Sequence, residues 1–225
     1  MLTKRLNMII SHINGRSVAD IGTDHAYIPV QLALGKKAEK IIATDVNKGP
    51  LKAAENNVKA NGLEGRIELR LGNGLVPVCE GECDTIVIAG MGGELICTIL
   101  SEGEKIAKSA KTLLLQPMNS QDLLRKFLSE NGYEIIDEDI TTEGFKVYNL
   151  IIAKEGKGAE FRDEFELHLP QYLYNHKKFP KLLAKKKREF EKILSGLNKA
   201  NEKNPAEIER YTKLLKRVLE LEGRV

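Results

Sequence analysis

Four times in the first 93 residues, a short apolar run gives way to a glycine turn or an acid. Ser17 to Ile21 leads into Gly22-Thr23-Asp24-His25. Lys40 to Val46 carries Asp45 near its end. Arg66 to Leu71 leads into Gly72-Asn73-Gly74-Leu75, and Asp84 to Ala89 into Gly90-Met91-Gly92-Gly93. Runs this short and rich in β-branched residues read as buried strands. Helical spacing follows at Pro29 to Leu34, Gly49 to Asn61, Glu94 to Ser101 and Ser120 to Asn131, with a further strand at Thr112 to Gln116. Alternating strands and helices predict a doubly wound α/β fold with a mostly parallel sheet. In such sheets ligands bind at the carboxyl ends of the strands, which is where all four turns fall.

Two features bound the sheet. Tyr133 to Thr142 and Phe145 to Lys154 read as extended stretches joined at Glu143-Gly144. A hairpin with no helix between its strands predicts an antiparallel edge, unlike a plain dinucleotide fold. At the other end, Leu2 to Ile13 has apolar residues at helical spacing.

Beyond Lys154 the composition changes. Glu155-Gly156-Lys157-Gly158 reads as a linker, which predicts a domain at 1–154 and a helical one at 155–225. Phe179 to Leu197 and a last helix after Asn204-Pro205 carry apolar stripes, an antiparallel hairpin resembling a coiled coil. Asn204 is the expected N-cap and Pro205 the first helical residue. The net charge of +3 is uneven: residues 1–154 carry −2 and residues 155–225 carry +5. Residues 176–199 hold nine Lys and Arg against two acids. Such a face suits a polyanion, and Lys185, Lys186, Lys187 and Arg188 are its densest part, with Lys4 and Arg5 as further candidate contacts.

No apolar run approaches the ~20 residues that span a bilayer, and the first residues lack the pattern of a secretory signal. A cytoplasmic protein without a membrane partner is expected. Cys79, Cys83 and Cys97 form no C-x-x-C pair, so neither a disulfide framework nor a metal site is expected.

The turns also discriminate between cofactors. Asp24 stands where a dinucleotide fingerprint has its second glycine. A pyrophosphate needs positive potential and close backbone approach, and Asp20 and Asp24 would repel it. S-adenosylmethionine has no phosphate and carries a sulfonium and an ammonium, which acids favour. Asp45, 25 residues beyond Asp20, suits ribose hydroxyls. Gly72 to Leu75 suits the edge of a purine. The glycines at 90, 92 and 93 remove bulk where a flat base and a methyl group could meet.

The sequence resembles the bacterial tRNA (adenine-22 N1)-methyltransferases. The resemblance rests on Leu2-Thr3-Lys4-Arg5-Leu6, on Ala19-Asp20-Ile21-Gly22-Thr23-Asp24-His25-Ala26-Tyr27-Ile28-Pro29, on Asn73-Gly74-Leu75, on Ile88-Ala89-Gly90-Met91-Gly92-Gly93 and on Leu114-Leu115-Gln116-Pro117. Leu124-Arg125 and Asn131 to Ile135 continue it. It implies a class I methyltransferase core, Rossmann-like with an antiparallel last strand, a C-terminal helical domain, and methylation of N1 of a tRNA adenine. Cofactor positions then fall on Gly22, Thr23, Asp24, His25, Asp45, Val46, Asn73, Gly74 and Leu75, to which the residues themselves add Asp20, Ala89 and Gly90. Asp45 stands where the family more often has Glu, Met118 intervenes before Asn119, and His168-Leu169-Pro170-Gln171 replaces a usual Gly-Pro pair.

Asp24 is the candidate catalytic residue, a carboxylate able to stabilise charge arriving on the adenine ring; orienting His25 or the cofactor ammonium is its alternative role. A monomer is expected, with tRNA and not DNA as partner. The alternatives are a class I methyltransferase acting on a small molecule or protein, which leaves the basic tail idle, and a non-catalytic RNA-binding module with a relict pocket.

Overall fold

A computed structural model describes residues 2–202 and 204–223. Seven strands form one sheet: β1 (Ser17–Ile21), β2 (Lys40–Asp45), β3 (Glu68–Leu71), β4 (Thr85–Met91), β5 (Thr112–Pro117), β6 (Tyr133–Glu143) and β7 (Lys146–Glu155), in spatial order β3-β2-β1-β4-β5-β7-β6. β1 to β5 pair in parallel, while β7 is antiparallel to both β5 and β6. The last strand is thus antiparallel as expected, yet it does not form the edge. β6 does, and it runs in the same direction as β1 to β5. Composition explains the order. Leu150-Ile151-Ile152-Ala153 is apolar towards both faces and needs cover on each, whereas Glu134, Asp137 and Asp139 suit an exposed edge.

Strand alternation builds two cores. Val18, Val87, Leu114 and Ile152 face one side, where they pack with α1 (Lys4–Ser11), α2 (Tyr27–Leu34) and α3 (Lys48–Ala60). Their neighbours Ala19, Ile86, Ile88, Leu113, Leu115 and Ile151 face the other, against α4 (Gly93–Glu102), α5 (Glu104–Ser109) and α6 (Gln121–Glu130). The period of two along each strand assigns the faces. α5 is absent from the sequence expectation; it is one short run after Gly103, where an added Cβ would lie 2.6 Å from Leu75 Cβ.

The C-terminal segment builds a third core. α7 (Glu164–His168), a 3-10 turn at Gln171–Leu173, α8 (Phe179–Lys199) and α9 (Pro205–Glu222) gather Phe165, Leu173, Phe179, Leu182, Phe190 and Val218 around Ile140 and Val147 of the hairpin. The expected cap is present, with Glu207 N donating to Asn204 Oδ1 at 3.3 Å. The expected linker is no free tether. Gly156 N donates to Gly132 O at 3.0 Å, and Gly158 lies so close to α6 that a Cβ would meet Ser129 O at 2.0 Å. His168 and Leu169 are buried, with the His168 ring edge-on to Phe190.

Polar contacts tie this segment to the sheet. Arg125 of α6 and Glu138 of β6 are both buried and meet through two bonds of 2.8 Å, and Arg125 Nη1 donates to Leu167 O at 2.6 Å. The Asp139 carboxylate bridges His12, at the end of α1, and His176, before α8, at 3.0 and 3.1 Å. Removing one member of a buried pair strands the other charge, a loss of about 3–5 kcal/mol. Arg125→Met is expected to lower stability by that amount in urea denaturation, and an added Glu138→Leu to restore much of it.

Candidate active site

The carboxyl ends of β1 and β4, with the first turns of α1 and α2, enclose a cleft of about 340 Å³, a size that suits a small molecule. Asp20, Gly22, Thr23, Asp24, His25, Ala89 and Gly90 all line it, so seven of the expected cofactor positions meet in one place. Gly22 adopts φ +73°, a backbone that favours glycine, and the Met91 methyl lies 2.0 Å from where a Cβ would be.

Asp20 is the buried charge of the cleft. Thr23 Oγ1 donates to its Oδ2 at 2.7 Å. Burial pushes its carboxyl up to about 6, against the opposing pull of the Thr23 hydrogen bond and the Arg5 charge. Asp24 differs: its side chain is 77% exposed, at the mouth, with His25 Nε2 3.7 Å from its Oδ1. The loop holding both is pinned from below, because Asn57 Nδ2 donates to His25 O at 2.7 Å and Ala26 takes a left-handed backbone (φ 52°). Strain at a non-glycine residue persists only where surrounding packing imposes it.

Arg5, expected as an RNA contact beside Lys4, lines the cleft. Its backbone N donates to Glu143 Oε1 at 2.6 Å and its Nη1 to the buried Gln116 Oε1 at 2.8 Å. Its guanidinium sits 5.8 Å from the Tyr148 ring centre, and Nη1 is 3.3 Å from where a Cβ on Gly90 would be. The cleft is therefore dipolar, with Asp20 and Asp24 on one wall and Arg5 on another. The Gly92-Gly93 pair serves a different end from Gly90. A Cβ on Gly93 would meet Ser120 O at 2.4 Å, so this glycine admits the loop between β5 and α6 rather than a base.

The methyltransferase-domain family matches residues 2–151. The tRNA (adenine(22)-N(1))-methyltransferase of Bacillus subtilis (strain 168) is 40% identical over 156 residues, which span 69% of this chain and 66% of that protein. The crystal structure of the B. subtilis M1A22 tRNA methyltransferase TrmK superposes with a TM-score of 0.85 at 30% identity, over 99% of each chain. The chain belongs to the tRNA (adenine-22 N1)-methyltransferase family. M. capricolum TrmK, in complex with S-adenosyl-homocysteine, aligns at a TM-score of 0.78 and 29% identity over 100% of this chain and 97% of that one. The sequence match to the B. subtilis relative spans 69% of this chain, whereas the structural match spans 99% of it.

In this family member the remaining expected cofactor positions lie along the same sheet edge but outside the cleft. Asp45 Oδ1 accepts from Asn47 N at 2.7 Å, and its backbone O accepts from Gly72 N at 3.0 Å. Val46 and Asn73 are exposed, and Gly74 adopts φ +51° against Ile99. The Leu75 side chain is 2% exposed and belongs to the core, which leaves only its backbone for a ligand.

The basic quartet does not form one face. At 100° per residue, four consecutive side chains spread around most of a helix. Lys185 Nζ donates to Val147 O at 3.3 Å, and burial lowers its pKa. Lys186 is 4% exposed and pairs with Glu189, while Lys187 pairs with Glu222. Only Arg188 is exposed. A different stripe is exposed throughout: Lys181, Arg188, Lys192 and Lys199 recur at i, i+7, i+11 and i+18, within about 40° of one another on the helix. Lys4 is exposed beside the cleft. Among the described residues no cluster of metal-ligating side chains occurs, and no helix is long and apolar enough to cross a membrane.

The buried acid makes a pH-dependent prediction. The folded-state value of Asp20 lies above the ordinary 3.8, so its contribution to stability is complete below about pH 4 and is lost as pH rises through about 6. Asp20→Asn is expected to stabilise the ligand-free protein at pH 8 by up to about 3 kcal/mol and to leave stability at pH 4 unchanged. Denaturant titrations at the two pH values measure both.

Proposed function

We propose that this chain transfers a methyl group from S-adenosylmethionine to N1 of an adenine in tRNA, at position 22 in the D-arm region, acting as a cytoplasmic monomer. One juxtaposition carries the reading: an acidic, glycine-lined cleft and an exposed cationic stripe share one chain, which superposes nearly end to end on tRNA methyltransferase structures. A small-molecule methyltransferase would have no use for the stripe.

The cleft residues fit the cofactor. Asp20, buried and costly to ionise alone, gains from a cation beside it, and the methionine ammonium is one. Arg5, held by Gln116 on the far wall, suits the methionine carboxylate. Asp45 serves ribose hydroxyls, and the backbone of Asn73-Gly74-Leu75 the adenine edge. The cofactor supplies an electrophilic methyl group, and adenine N1 offers an in-plane lone pair, so no residue need remove a proton before attack. What the protein must do is align the reactants and balance the charge that appears on the base. Asp24, exposed at the mouth, can accept a hydrogen bond from the exocyclic amine and face that charge. The cationic stripe supplies phosphate contacts, which position the RNA without reading its sequence.

Incubation with tRNA and methyl donor, followed by mass mapping of modified nucleosides, tests the reading: N1-methyladenosine at position 22 is expected, and no methylated tRNA would reject it. Asp24→Ala is expected to lose on the order of 100-fold in turnover while still binding cofactor in calorimetry. Triple substitution of Arg188, Lys192 and Lys199 by Gln is expected to weaken tRNA binding and reduce its salt slope by about 3, one unit per lost phosphate contact. Lys186→Gln is expected to cost stability instead.

A further inference from the structure

The hairpin between β6 and β7 carries a side chain that neither the fold nor the cleft uses. Phe145 is fully exposed, at 101% of its reference area, directly after Gly144 (φ +55°). An aromatic ring held wholly in water contributes nothing to folding, since its apolar surface is left unburied.

Its location is set by topology. β6 runs parallel to β1 to β5, so its last residue, Glu143, reaches the same sheet edge as Gly22, Gly90 and Gln116. Glu143 there accepts the backbone N–H of Arg5, whose side chain lines the cleft. The hairpin is well anchored, with Glu143 paired to Lys146 and Thr142 to Val147 across its strands. Its surroundings are cationic. Lys146 follows Phe145 in sequence, and Lys4 precedes Arg5 on α1; both are exposed. Lys178, just before α8, reaches Thr141, and Lys185 of α8 reaches Val147, with exposed Lys181 between them in sequence.

We propose that Phe145 is a stacking platform for a nucleobase neighbouring the methylated adenine. The inference rests on the tRNA reading above and deepens it by naming a residue that seats the substrate. A single exposed ring among cations matches the way proteins hold unpaired nucleotides, with a π-face for the base and charge for the backbone. It is far too small for a stable protein interface, which buries on the order of 800 Å² per partner. The short hairpin loop fixes the backbone from which the ring projects, so little backbone freedom is lost on contact.

Three variants test the proposal, and each is expected to fold because the ring is exposed. Phe145→Ala and Phe145→Leu are expected to raise the KM for tRNA about tenfold, the loss typical of one base–aromatic stack, with cofactor affinity and Tm unchanged. Phe145→Trp is expected to retain the parent KM. The chain has no tryptophan, so the new indole is a lone fluorophore, expected to be quenched by tRNA and not by S-adenosylmethionine. Parental tRNA binding in the alanine variant overturns the proposal. So does parental binding in the leucine variant, which would make the contact one of apolar volume alone, or tryptophan emission that tRNA leaves unmoved. A change of sedimenting mass in Phe145→Ala, with KM for tRNA unaltered, would assign the ring to a protein contact and also overturn it. If the parent binds tRNA and the indole is quenched but no methyl is transferred, the proposed activity fails while the stacking role stands.

Discussion

The Arg125–Glu138 pair joins the parts of the molecule that must hold a fixed relation. It lies where α6, the edge strand and the C-terminal segment meet, and the guanidinium spends a third donor on the Leu167 carbonyl. A buried charge has few stable arrangements, because each misplaced donor or acceptor forfeits its solvation. The contact therefore fixes where the tail leaves the sheet, and hence where the cationic helix runs relative to the cleft. The Asp139 carboxylate extends the same clamp to α1 through His12 and to the start of α8 through His176. Catalytic edge and helical arm are thus registered by polar geometry as well as by apolar packing.

Within the cleft, opposite charges are held apart by protein rather than allowed to pair. Asp20 hydrogen-bonds Thr23, and Arg5 hydrogen-bonds Gln116. Each keeps an electrostatic deficit that a zwitterionic ligand can fill. The strained Ala26 and the packed Gly22 serve the same end, since both shape the loop that holds Asp24 and His25 at the rim. Local instability gathered at a site is common where binding later compensates it.

The sheet was legible because its strands carry strong β-branched runs and end in glycines, signals that depend on neighbours in sequence. Strand ends agree with the expectation to within two residues across the parallel core. Where β7 lies was less legible: a hairpin says that two strands pair, not which of them inserts beside β5. α5 and α7 span six and five residues, too short for a helical period to declare itself. At the site, the acids and glycines of the first and fourth turns announced themselves by type and spacing. Arg5 announced itself only as a cation for RNA, and the tertiary approach of Gln116 and Glu143 is what draws it to the cleft. The dense Lys185 to Arg188 run misled because density along a sequence is not density on a helix face. Leu75 stands in a binding motif, yet its side chain fills the core.

α8 buries its last side chain at Phe190; from Glu191 to Lys199 no residue is fully covered. The outer half of the arm is secured only by its mate, α9, through half-covered residues such as Leu194 and Tyr211. Opening free energy must fall off along such a spur, from its root towards the outer end of α8. The outer half of the cationic stripe is mounted on the part of the molecule that yields most easily.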